Sequence, residues 1–66
     1  MKIIINGKEK QLLGPNNLAN AIKESCTDPE HVISEVNGKI IRSENWENFS
    51  LQENDKIELV TFVGGG

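Results

Sequence analysis

Two Asn-Gly pairs, Asn6-Gly7 and Asn37-Gly38, constrain the fold of this chain more than any other feature of its sequence. Asn-Gly is the strongest short-range signal for a tight β-hairpin, because both residues accept the positive φ angles of a type I′ turn. Each pair lies between two segments with strand character, and a further apolar segment precedes the last three residues. The sequence therefore predicts two hairpins and a final strand, with strand segments at residues 1–5, 8–13, 31–36, 39–42 and 57–63.

A short helix is predicted between the two hairpins. Asn17 is a suitable N-cap, because its side-chain oxygen can accept a hydrogen bond from a free amide of the first turn. The helix is expected to end near residues 25–27, since the residue before a proline, here Asp28, disfavours the helical conformation. Four residues at helical spacing form its apolar stripe, with the cysteine interpreted as a small buried residue: Leu18, Ala21, Ile22 and Cys26.

This order of elements predicts an α+β fold, a mixed sheet of four to five strands with the helix packed on one face. The polar segment 8–13 is expected at an edge, and the strongly apolar final strand inside the sheet beside the first strand. Alternation along that final strand predicts two sets of residues on opposite faces: Ile57, Leu59 and Thr61 on one, and Glu58, Val60 and Phe62 on the other.

The exposure of the second set is open on sequence grounds. If the helix covers the first face, Val60 and Phe62 stay exposed and, with Glu58, become candidates for a docking surface. Alternatively, the loop around Trp46 covers them. Trp46 itself either packs in the core, which a domain this small needs, or faces a partner as an aromatic anchor. His31 is expected to be a solvated residue without a catalytic role.

Composition excludes several classes of function. The 66 residues allow one domain, and a single Cys allows no internal disulfide. One His and one Cys do not make a metal site of the usual kind. Ten acidic and seven basic residues, a net charge of −3, argue against nucleic-acid binding. No apolar run approaches a membrane span or a signal peptide, so a cytoplasmic protein without membrane contact is expected.

The sequence closes on three glycines, Gly64, Gly65 and Gly66, which predict a flexible tail after a folded domain of residues 1–63. Four residues from Val63 onward would reach about 13 Å beyond the fold. Such a narrow tail could thread its unhindered carboxylate into the active site of another protein. A frayed end or a cloning remnant is the alternative.

Nothing in the sequence supplies the chemistry to activate that carboxylate. The chain has no phosphate-binding loop, no dinucleotide fingerprint and no recognisable pair of nucleophile and base. We therefore expect that the protein is not an enzyme and that it has no catalytic residues. Its contribution would be to present the tail to proteins that carry out the reaction.

Three stretches resemble the bacterial sulfur carrier family ThiS, and they are spread from one end of the chain to the other. Residues 36–46, VNGKIIRSENW, resemble the family's V-N-G-x-I-V-x-R-x-x-W stretch, with a one-residue difference in the spacing before Trp46. Residues 51–66 are similar to its L-x-x-G-D-x-I-E-I-V-x-x-V-G-G-G ending, with Asn54 where the family often has Gly. Asn tolerates the left-handed conformation that this turn could need. The opening residues 1–7 are similar as well.

The resemblance implies a ubiquitin-like β-grasp fold and a role in thiamin biosynthesis. It implies that a ThiF-type enzyme uses ATP to adenylate the carboxylate of Gly66, and that sulfur then replaces AMP to give a thiocarboxylate. Gly64 and Gly65 would form the threading tail. A ThiG-type thiazole synthase would take the sulfur, and this chain would bind no cofactor itself.

Other carriers share the diglycine ending, so alternatives stay open at this point. One is the small subunit of molybdopterin synthase, and others serve tRNA thiolation or cysteine synthesis. A different class altogether is a non-catalytic ubiquitin-like binding module with an inert tail. Loading of sulfur onto the tail would distinguish the carriers from the binding module.

Overall fold

Both Asn-Gly pairs form tight hairpin turns, as the sequence predicts. Asn6 and Asn37 each have a φ of 51°, and Gly7 and Gly38 have φ angles of 81° and 85°. Positive angles of this kind give a turn whose twist matches the flanking strands. The computed structural model describes residues 1–25 and 28–62, and this part contains one α-helix and five strands: β1 Lys2–Ile5, β2 Lys8–Gln11, α1 Leu18–Ser25, β3 Val32–Val36, β4 Lys39–Ile41 and β5 Lys56–Thr61.

The five strands form one mixed sheet in the order β2-β1-β5-β3-β4. β5 lies in the centre, parallel to β1 and antiparallel to β3, which confirms its predicted place beside the first strand. β2 lies at one edge, and its exposed charged side chains suit a strand that has water on one side. The fold is therefore the predicted α+β arrangement.

The helix begins where the sequence predicts. The Asn20 amide donates a 2.8 Å hydrogen bond to Oδ1 of Asn17, which satisfies one of the free amides of the first turn. An isolated helix of eight residues would be marginal in water, so burial of its apolar side stabilises it. The predicted buried position of Cys26 lies outside the described residues. The buried stripe of α1 joins the core with residues of the sheet: Leu18, Ala21 and Ile22 with Ile3, Ile5, Val32, Val36, Ile41 and Ile57.

The long loop before β5 also belongs to the core, which decides between the two interpretations of Trp46. Trp46 is buried, and its Nε1 donates a 2.9 Å hydrogen bond to the carbonyl of Ile41. Leu51 is buried as well, and its amide donates to the carbonyl of Asn16 just before the helix. The loop therefore closes the helix side of the sheet and leaves the other face open. At its end Asn54 has a φ of 70°, the left-handed conformation in which Asn can replace Gly.

Burial along β5 decreases toward its end, which the alternation pattern did not predict. Ile57, Leu59 and Thr61 share the helix side, but Ile57 is buried, Leu59 is partly buried and Thr61 is exposed. The reason lies in β1, which pairs with β5 only as far as Ile57 and then reverses at Asn6. The last residues of β5 therefore project past the neighbouring hairpin.

Among the described residues, no helix has both the length and the apolar content needed to cross a membrane.

Candidate functional site

Four apolar side chains are exposed together near the end of β5, on the sheet face opposite α1. Val60 is 55% exposed and Phe62 is 42% exposed, so neither the helix nor the Trp46 loop covers them, which decides between the two alternatives left open by the sequence. Ile33 lies directly opposite Val60 in the β3–β5 pair, and Ile40 is exposed on β4. We refer to Ile33, Ile40, Val60 and Phe62 as the open-face patch. Contiguous apolar surface of this kind marks interaction sites on small domains.

Sequence reasoning singled out two members of the open-face patch and missed the other two. The sequence predicts Ile33 on the same face of its strand as Glu35 and Ile40 in the next strand, but it connects neither with Val60 and Phe62. A signal for them was present, because the Asn37-Gly38 turn fixes the register of β3 against β4 and pairs Glu35 with Ile40. Ile33, two residues before Glu35, must then lie on the same face as Ile40.

Two carboxylates lie side by side next to the open-face patch. Glu35 of β3 and Glu58 of β5 are direct cross-strand partners, and Glu58 is exposed. Like charges directly opposite each other destabilise a sheet. An acidic pair beside apolar surface suits a partner with complementary basic residues, where it would mainly increase the rate and specificity of association.

His31 holds the residue that follows β5. Its carbonyl accepts a 2.8 Å hydrogen bond from the Phe62 amide, and the two rings meet edge to face with centroids 5.7 Å apart. Nδ1 of His31 lies 2.7 Å from Oδ2 of Asp28. His31 is partly exposed, so the expectation of a solvated residue holds only in part. It packs against the last described residue before the predicted tail.

A groove of about 600 Å³ continues from Phe62 around the end of β3, where Val32, Ile41 and Trp46 line it. Ser34 also lines this groove, yet its side chain is 1% exposed. Its Oγ has no hydrogen-bond partner within the described part of the chain. Buried hydroxyls normally have a partner, so this one carries a cost in stability.

The predicted site residues Gly64, Gly65 and Gly66 lie outside the described residues. Residues 1–25 and 28–62 contain no group of three or more His, Cys, Asp or Glu side chains that could hold a metal ion. What the described residues bring together is a candidate docking surface, formed by the open-face patch, the acidic pair and the anchored Phe62.

The fold places the protein in a class. A β-hairpin, a helix, a second hairpin and a final central strand parallel to the first define the ubiquitin-like β-grasp fold. The chain belongs to the ThiS family, whose sequence model matches residues 3–66. A crystal structure of the thiamine biosynthesis protein ThiS from Geobacter metallireducens is similar over the whole of both chains, with a TM-score of 0.81 and 26% identity. A solution structure of a thiamine biosynthesis protein from that organism is similar with a TM-score of 0.73 and 26% identity. That match covers all of this chain and 88% of the other.

Two curated relatives extend the comparison. The uncharacterized protein ycf40 of Trieres chinensis is 37% identical over 62 residues, which cover 94% of this chain and 85% of the relative. A thiazole synthase of Paramagnetospirillum magneticum is 30% identical over 66 residues. That match covers all of this chain but only 20% of the synthase, so a segment similar to this protein makes up a fifth of a longer one.

Proposed function

We propose that this protein is a sulfur carrier of thiamin biosynthesis and that Gly66 carries the sulfur as a thiocarboxylate. The observation on which the proposal rests is that the match to the ThiS family extends through residue 66 and so includes the glycine tail. The similarity to a thiazole synthase supports the same pathway. The described part of the chain contributes a compact domain with an exposed docking surface at the strand that leads to the tail.

The proposed reaction needs two steps at the terminal carboxylate. In the first, a carboxylate oxygen of Gly66 attacks the α-phosphorus of ATP, and pyrophosphate leaves. In the second, a sulfide-level sulfur nucleophile attacks the acyl carbon of the adenylate, the bond to AMP breaks, and a thiocarboxylate remains. Neither step changes the oxidation state of carbon or sulfur when the donor is sulfide.

Both steps would take place on a partner, a ThiF-type adenylating enzyme that binds ATP. The carrier then presents the sulfur to a ThiG-type thiazole synthase. Support for the second partner comes from the relative in which a carrier-like segment occurs within a protein named thiazole synthase. A free tail loses about 1–2 kcal/mol of conformational freedom per residue when it is captured. Contacts at the docking surface would help to offset that cost.

The open-face patch is the part of the surface best suited to those contacts. It combines Val60 and Phe62 with Ile33 and Ile40, and the acidic pair lies beside the Ile33–Val60 pair, in the row of the sheet that also contains Ile40. An apolar centre with charged residues at its margin is the usual composition of a protein interface. Glu58 would steer the carrier toward a basic surface, and the apolar side chains would hold it there.

Intact mass spectrometry tests the proposed loading directly. The purified protein is incubated with ATP, a ThiF-type enzyme of demonstrated activity and sulfide. We expect its mass to rise by the difference between a sulfur and an oxygen atom. A variant that lacks Gly66 should keep its circular dichroism spectrum and thermal midpoint but gain no mass. Absence of loading in the unaltered protein would favour a binding module with an inert tail.

The pathway is tested separately by the fate of the sulfur. The loaded carrier is mixed with a ThiG-type thiazole synthase and its other substrates, and thiazole product is measured against consumption of the thiocarboxylate. Molybdopterin synthase large subunit with its precursor serves as the comparison acceptor. Efficient transfer only to the second acceptor would retain the carrier chemistry and reject the thiamin pathway.

A further inference from the structure

The end of β5 is held on its two sides by different means. On the β3 side, backbone pairing continues from Ile57 to Thr61, and the Phe62 amide then donates to the carbonyl of His31. On the β1 side, strand pairing stops at Ile57, because β1 turns away at Asn6. Beyond that point a single side chain takes the place of a strand.

That side chain is Asn6, whose amide group bonds to both backbone groups of Leu59. Oδ1 of Asn6 accepts a 2.8 Å hydrogen bond from the Leu59 amide, and Nδ2 donates a 3.3 Å bond to the Leu59 carbonyl. The backbone amide of Asn6 also donates a 2.9 Å hydrogen bond to the carbonyl of Ile57. Asn6 therefore continues the ladder by one more residue after its own strand has ended.

We propose that Asn6 is a positioning residue for the carrier reaction. By fixing Leu59, it restrains the direction in which residues 60–62 leave the sheet and so the direction from which the tail enters a partner's active site. The proposal rests on the sulfur-carrier function proposed above. Its physical basis is that residues already ordered in the free carrier lose less conformational freedom when a partner binds the tail.

The second Asn-Gly turn offers a matched control. Asn37 also has a φ of 51°, and its Oδ1 accepts a 3.0 Å hydrogen bond from the Lys56 amide. Its Nδ2 donates a 3.1 Å bond to Oδ1 of Asp55. Asn37 therefore accepts from a backbone amide of β5 as Asn6 does, but at the start of the strand, far from Phe62, and its Nδ2 donates to a carboxylate instead of a backbone carbonyl.

The test compares Asn6→Gly with Asn37→Gly. Glycine accepts the positive φ at both turns, so each change removes a side-chain clamp and keeps the hairpin. Steady-state adenylation by a ThiF-type enzyme is measured as a function of carrier concentration. We expect Asn6→Gly to raise KM about tenfold with kcat unchanged. Without the Asn6 side chain, the partner has to order about one more backbone residue when it binds the carrier. Asn37→Gly should match the unaltered protein.

Amide hydrogen exchange supplies a readout that does not depend on loading. We expect Asn6→Gly to increase the exchange rate of the Leu59 and Phe62 amides, and Asn37→Gly to leave the Phe62 amide protected. If Asn6→Gly does not fold, Asn6→Asp replaces it, because its carboxylate still accepts from the Leu59 amide and loses only the donor. Asn6→Asp should raise KM above that of Asn37→Gly, but by less than about tenfold.

The outcomes separate this inference from the function on which it rests. If the unaltered protein does not load, the carrier function is rejected, and hydrogen exchange still decides whether Asn6 orders the end of β5. If the unaltered protein loads and both variants have its KM, the positioning role is wrong. Equal increases of KM in both variants would also overturn it, because the effect would then follow general stability.

Discussion

Residues 56–57 and residues 58–62 follow one another along the last strand and the residue after it, but their surroundings differ. The first segment has β1 on one side and β3 on the other, and its Ile57 is among the most buried side chains of the core. Within the described part of the chain, the second segment has β3 on one side and the Asn6 side chain alone on the other, and it carries Val60 and Phe62 on the open face.

The difference shows how a small domain can hold a strand firmly in its sheet and still leave apolar side chains exposed at the end of that strand. Burial of apolar area near the start of β5 holds the strand in the sheet. The end of the strand is held mainly by directional hydrogen bonds, from Leu59 to Asn6 and from Phe62 to His31. Hydrogen bonds of this kind fix direction while leaving the apolar side chains uncovered. Under the proposed function, the part of the strand that stabilises the domain is therefore separate from the part that presents the tail.

The largest expected effect on stability comes from Ile57→Ala. Ile57 is 1% exposed, so its truncation should lower the free energy of unfolding by about 2–5 kcal/mol. Val60→Ala, at a side chain 55% exposed, should change it by less than about 0.5 kcal/mol. Urea denaturation measures both. If Ile57→Ala does not fold, Ile57→Val serves instead. Similar losses at the two positions would contradict the contrast between the two segments.

Intermediate effects are expected when alanine replaces the glycine of either hairpin turn. Gly7 has a φ of 81° and Gly38 of 85°, and no described atom lies within 4 Å of an added Cβ at either position. The cost is therefore conformational and should be about 1–2 kcal/mol for each of Gly7→Ala and Gly38→Ala. Equal losses of stability in Gly7→Ala and Gly38→Ala would show that the two turns have similar backbone requirements, which leaves the contacts of their Asn side chains as the difference between them. A much larger cost at Gly7 would indicate packing at the tail end.

A smaller effect of opposite sign is expected at Ser34, which pairs with Leu59 across the sheet. Its hydroxyl is buried without a partner in the described part of the chain, so Ser34→Ala should raise the free energy of unfolding by about 1 kcal/mol. Ser43→Ala, at an exposed position, is the control and should be neutral. A loss of stability at Ser34 would mean that its hydroxyl is satisfied in solution.

A small effect on stability, together with the largest effect on binding, is expected for Phe62→Asp. Because Phe62 is exposed and lies after the strand, the change should alter the free energy of unfolding by less than about 1 kcal/mol. Binding to a ThiF-type enzyme, measured by titration calorimetry, should weaken more than about tenfold. Leu13→Asp introduces the same side chain at another exposed apolar position and should leave binding unchanged. A large loss of stability with intact binding would assign Phe62 to the core.

Local patterns predicted much of the fold because the physics behind them is local. The hairpins follow from the φ angles that Asn and Gly accept, and the helix start follows from the capping oxygen of Asn17. Alternation also predicted that Val60 and Phe62 share a face. It did not predict that burial fades between Ile57 and Thr61, because that depends on where the neighbouring strand ends.

The candidate site was predictable to a smaller extent. The apolar residues at the end of the last strand were identified from the sequence, but Ile33 and Ile40 join them only through the register of three strands. From the sequence, packing of Trp46 is the favoured interpretation, because a domain this small needs the buried area, but an aromatic residue in a loop can also serve an interface. Its hydrogen bond to the Ile41 carbonyl shows that it belongs to the core.

By itself, the sequence determined the elements of this protein: two tight turns, a capped helix, an apolar last strand and a family membership that reaches the final glycine. Only the tertiary structure decided how the last strand is held, since Asn6 and Leu59 are separated by 53 residues. A turn residue carries a local signature because its own φ and ψ angles impose it. The residue that its side chain will contact has no such signature in the sequence, because that contact exists only after the sheet has assembled.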